Sequence, residues 1–198
     1  MIESNHNHND WLRYADNSYI ATRLLWFTGF MIETPVYAHR TIELYLKSFL
    51  LGHGIKVEKG SPAWGHRIGS LCKEAAKHDE SFSNQELERR VTFFERYFDY
   101  VRYPSMSSPE DGSYNWYSFD SNILPLDEIV AFIRPRIPTV DWSETVISQL
   151  LSGNETAQPH QLRALKDTND LLGTINTESS FMSTVAFNEY FHYDEPGC

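Results

Sequence analysis

The sequence predicts an all-α protein: an up-and-down antiparallel bundle of four to five helices over residues 1–138, followed by an acidic helical extension over 139–198. Three observations carry that expectation. Apolar residues recur at spacings of three and four through most of the first 138 residues. Helix-start and helix-stop signals lie a helix length apart. No stretch alternates with period two, and the flanks of Asp111 and Gly112, the one hairpin-like pair, do not alternate either.

The first helix is expected from about Asp10 to Ile32, with Ala15, Tyr19, Thr22, Trp26 and Gly29 on one stripe, broadened by Leu12 and Leu25. Thr34 and Pro35 open the second, because proline at the first helical position lacks only an N–H that would go unpaired anyway. Ala38, Ile42, Tyr45, Leu46 and Phe49 line its apolar side, and Gly52 is placed to end it. Ser61 and Pro62 repeat the opening signal for a third helix carrying Ile68, Leu71, Cys72 and Ala75. In the fourth, Ser83 and Glu86 read as a capping box before Leu87, Val91, Phe94, Phe98 and Val101, and Pro104 stops it. Residues 105–122 read as the longest loop. A fifth helix runs from about Leu124 to Arg134, ended by Pro135 and Pro138. In the extension, Asp141 and Glu144 frame a capping signal before a short helix from Thr145 to Leu151, and a further helix is expected from Gln158 to Leu172. The polar, aromatic and acidic end, residues 176–198, shows no clear period and is expected to be poorly ordered.

The 17 basic and 27 acidic residues give a net charge of -10, which excludes a uniformly basic nucleic-acid footprint and with it non-specific DNA binding. The charge is uneven. Residues 139–198 hold two basic against nine acidic residues (net -7), and residues 1–138 hold 15 against 18 (net -3), so local cations on the first part could still meet an anion. Two cysteines, Cys72 and Cys198, make no disulfide framework. The start is polar and no apolar run approaches a membrane span, so a cytoplasmic protein is expected.

Chemistry-bearing residues cluster on the second and third helices. His39, Glu43 and Lys47 stack at i, i+4 and i+8, with Arg40 beside Glu43. This stripe reads either as a solvated face with an ordinary Glu-to-Lys pair or as a polar surface meeting a ligand or a second subunit. His39 and Glu43 lack the spacing of a zinc-protease motif, and Arg40 opposes a cation there, so no metal site and no cofactor are expected. His66, near the start of the third helix, is either an anion ligand or a satisfied structural histidine. Arg102 suits the negative end of the fourth helix, which alone would explain it. Glycine-rich phosphate loops and a nucleophile elbow are missing, and no residue is assigned a catalytic role.

Three segments in order, Tyr37 to Leu51, Gly65 to Leu71 and Tyr97 to Pro104, resemble the HEPN superfamily: a helix carrying Glu and then Leu-x-Leu-Lys, a Gly-His opening on the next helix, and an Arg-Tyr-Pro helix end. The resemblance spans about residues 10 to 138. It implies a bundle that usually dimerises and partners such as nucleotidyltransferases in toxin–antitoxin pairs. Its active members are metal-independent ribonucleases in which Arg is followed, after four to six residues, by His; the imidazole moves the proton of a 2′-hydroxyl while the guanidinium stabilises the charged phosphorane. After Arg102 those positions are Ser107, Ser108 and Pro109, and no other Arg in the chain has His at that spacing. The expectation is therefore a non-catalytic module binding a nucleotide or RNA, another anion, or a protein partner, with Arg40, Glu43, Lys47, His66 and Arg102 near the ligand and Tyr103 able to stack on a base. A divergent ribonuclease using His66 as the base, and a purely structural interaction bundle, are the alternatives. Large rings near helix ends (Trp64, Trp116, Tyr117) join the family in pointing to a homodimer.

Overall fold

A computed structural model describes residues 7–30, 32–102, 123–138, 140–153 and 158–172, with Tyr100 and Arg102 described in their backbone only. The expected loop at 105–122, Tyr103, Trp116, Tyr117 and the end of the chain from 173 lie outside the described residues. Among those described the protein is all-helical: α1 (His8–Phe27), α2 (Glu33–Gly52), α3 (Ile68–Ala75), α4 (Gln85–Arg102), α5 (Leu124–Ile133), α6 (Val146–Leu151) and α7 (Pro159–Lys166), with short 3₁₀ turns at Glu80–Ser83, Arg134–Arg136 and Trp142–Glu144. No helix among them is long and apolar enough to cross a membrane.

The central element is α2. Every residue from Thr41 to Leu50 is buried, because α1, α3, α4 and α5 all pack against it. Its apolar side supplies Ile42, Tyr45, Leu46 and Phe49 to a core continuous with Tyr19 of α1, Leu71 of α3, Phe94 of α4 and Phe132 of α5. Ile147 and Leu165, from α6 and α7, join the same core.

Several boundaries differ from those the sequence predicts. α2 ends at Gly52, but the left-handed residue that closes it is Gly54, at φ +80°, with Ile55 N–H donating to Leu50 O at 2.9 Å as a Schellman closure. Gly52 instead lets Pro138 approach, since a Cβ there would sit 2.6 Å from the proline Cγ. Ser61 and Pro62 open a turn rather than a helix, closed by Trp64 N–H donating to Ser61 O at 3.0 Å, and α3 begins only at Ile68. The cap of α4 is Asn84, whose Oδ1 accepts from the N–H groups of Glu86 (2.9 Å) and Leu87 (3.1 Å), whereas Ser83 belongs to the preceding 3₁₀ turn.

Two buried arginines cross-link the helices. Arg23 of α1 pairs with Asp127 of α5 and donates from Nε to Ala164 O of α7 at 2.6 Å. Tyr19 donates to Asp127 at 2.6 Å and accepts from Asn169 at 3.0 Å, and burial together with Asp127 holds its hydroxyl pKa well above the ordinary value. Arg134 pairs with Asp16 at 2.9 Å, and Tyr45 donates to the same carboxylate at 2.8 Å.

Candidate functional site

The cluster that the fold assembles lies where α2 meets the loop preceding α3. The i, i+4 spacing puts Glu43 and Lys47 on one side of α2, and Lys47 Nζ donates to Glu43 Oε1 at 2.6 Å. The same oxygen lies 3.0 Å from His66 Nδ1, across 23 residues of sequence. Both Glu43 and Lys47 are buried, so the stripe is not a solvated face. The reason is packing: Lys47 Nζ lies 5.3 Å from the Trp11 ring centroid of α1, a cation–π contact that covers the ammonium. His39, one turn before Glu43, is buried against α4, its ring stacked on Phe98 with centroids 4.0 Å apart and planes 13° from parallel.

His66 is different. Its side chain is 75% exposed while its Nδ1 is held by a nearly buried carboxylate. A carboxylate can only accept, so Nδ1 carries a proton. In the neutral ring Nε2 then keeps its lone pair and can accept from a hydroxyl; in the charged ring it donates, as to a phosphate oxygen. Glu43 thus fixes orientation and tautomer, while Lys47 balances the carboxylate charge. The loop is held on its other side as well. Glu95 of α4 accepts from Gly69 N–H at 2.9 Å and from Arg67 at 3.4 Å.

Of the residues that the sequence singles out, Glu43, Lys47 and His66 are brought together, and Arg40 is exposed on the turn of α2 before them. Arg102 ends α4, but its side chain and the whole of Tyr103 lie outside the described residues. Sequence reasoning missed Trp11, Glu95 and Arg67 as parts of this neighbourhood. Arg67 adjoins His66 in the chain, but Trp11 and Glu95 carry no local signal. Among the described residues no group of three or more His, Cys, Asp and Glu side chains could hold a metal ion.

The chain matches the family model described as HEPN domain over residues 8–121, more than half its length. No curated protein and no solved structure matches it.

Proposed function

The chain belongs to the HEPN domain family, and from that membership we propose that it is a non-catalytic binding module whose ligand is a nucleotide phosphate or similar anion, held at His66. The observation that carries this reading is the single carboxylate oxygen shared by Lys47 and His66. It orients an exposed imidazole for contact with a ligand while Lys47 neutralises the carboxylate's repulsion of an anion. Arg40 and Arg67, both exposed, add positive charge nearby in an otherwise acidic protein. The lack of any Arg followed at four to six residues by His favours binding over cleavage.

Calorimetric titration with adenosine 5′-monophosphate at low salt tests this: the protein binds, and His66→Ala weakens binding about tenfold, as expected for a lost charge-assisted hydrogen bond. No binding to the wild-type protein would sink the reading. One observation favours a second possibility. A carboxylate-held imidazole with Nε2 outward is also how a general base is presented. Cleavage of RNA in excess chelator, lost in His66→Ala, would make the protein a divergent ribonuclease instead.

The proposal extends to partners. Phe27, Phe30, Ile32 and Tyr37 are exposed at the end of the α1–α2 hairpin, an apolar face suited to a second copy of the chain. Family membership supports this homodimer, and also a cytoplasmic nucleotidyltransferase partner of toxin–antitoxin type.

A further inference from the structure

Two residues before His66, Trp64 stands 57% exposed. An exposed tryptophan on a floppy loop would mean little, but this loop is fixed. Ala63 and Ile68, on either side of it, are fully buried. Trp64 N–H donates to Ser61 O at 3.0 Å, Glu43 holds His66, and Glu95 holds Arg67 and Gly69. Gly65, at φ +112° with open space where a Cβ would sit, takes the chain from one ring to the other. Within four residues the loop therefore presents an indole, an imidazole and a guanidinium, the last 76% exposed. Residues two apart have Cα atoms no more than about 7 Å from each other, a reach comparable to that of one sugar joining a base to its phosphate.

We infer that the loop from Trp64 to Arg67 recognises a whole nucleotide, the Trp64 indole stacking on the base while His66 and Arg67 meet the phosphate. The inference rests on the nucleotide-phosphate reading above and adds the base as a recognised part. An indole offers every base a flat apolar surface, so stacking would be strong and largely indifferent to base identity. No negative charge lies on that part of the ligand, so the recognition is independent of the ionic contact at His66.

The test compares adenosine 5′-monophosphate with ribose 5-phosphate, which lacks only the base, on the full chain. The expected result is that the nucleotide binds about tenfold more tightly than the sugar phosphate, that Trp64→Ala removes this preference while leaving ribose 5-phosphate affinity and the thermal midpoint unchanged, and that Trp64→Phe restores most of it. Equal affinities for the two ligands, or a preference that survives in Trp64→Ala, would overturn the stacking role while leaving the phosphate reading intact. A Trp64→Ala protein that keeps the preference but shifts from dimer to monomer would reassign Trp64 to an interface between copies. If neither ligand binds the wild-type protein, the phosphate reading falls first and this inference with it.

Discussion

Glu43 Oε1 is shared by a buried ammonium and an exposed imidazole, and removing the carboxylate costs most at the ammonium. Lys47 is buried against Trp11, so Glu43→Gln leaves an ammonium out of water without the carboxylate that balances its charge. The cost expected is about 3–5 kcal/mol, read from urea unfolding, because breaking a buried pair from one side strands the other charge. Glu43→Leu combined with Lys47→Met is expected to cost less than Glu43→Gln alone, since no charge is then stranded. Glu128 makes a second case. Burial pushes its carboxyl pKa up from an ordinary value near 4.5 to about 7, against the pull of Arg90 beside it. A raised folded pKa means that the folded protein holds a proton the unfolded chain has lost, so stability falls as pH rises from about 4.5 to about 7. Thermal unfolding at pH 5 and pH 8 should show this loss, up to about 3 kcal/mol, and Glu128→Gln should flatten it.

At the scale of elements, most helices were legible because they are announced locally, by an apolar period of 3.6 together with a capping residue or, as in α2 and α5, a proline in the first turn. What failed was the choice among neighbouring signals of one kind. Ser83 and Asn84 both can cap, and only the 3₁₀ turn Glu80–Ser83 decides for Asn84. Gly52 and Gly54 both can close a helix: α2 stops at Gly52, Gly54 takes the left-handed closing position, and Gly52 leaves the space that Pro138, 86 positions further on, occupies. Gly52→Ala should therefore destabilise by about 1–3 kcal/mol, the range for overpacking, although alanine has the better helix propensity. A melting-temperature rise in that variant would show that the α2–Pro138 contact yields easily. The candidate site divides the same way. Glu43 and Lys47 were found from their spacing on one helix, whereas their burial, the Trp11 cover and the Glu95 anchor depend on which helices meet and leave no mark in the local pattern.

For the whole molecule, the buried ion pairs carry what local periodicity leaves out. Arg23 and Arg134 were invisible as core residues, because arginine is rarely buried without partners, and those partners lie more than 100 positions away. Arg23 touches α5 and α7 at once, so one guanidinium adds a buried polar tie to the core contacts and the Tyr19–Asn169 hydrogen bond that hold the extension to the bundle. Arg23→Leu should cost about 3–5 kcal/mol by leaving Asp127 buried and unbalanced, and limited proteolysis should then cut within 158–172 sooner than in the wild type. The apolar end of the α1–α2 hairpin makes a separate prediction. Sedimentation at micromolar concentration should show a dimer, and Ile32→Asp, at the 66% exposed N-cap of α2, where aspartate also suits the helix start, should shift it to monomer; a wild-type monomer would remove the second copy as that face's partner.

The face-to-face seating of His39 on Phe98 gives this protein a built-in magnetic reporter. Imidazole protons held over a benzene face at 4.0 Å are shielded by its circulating electrons, so their resonances should stand upfield of those of a histidine away from any ring. Phe98 sits one turn before the last residue of α4, so any ligand or partner that shifts that end of the helix will announce itself as a drift of those signals, without a label and without a mutation.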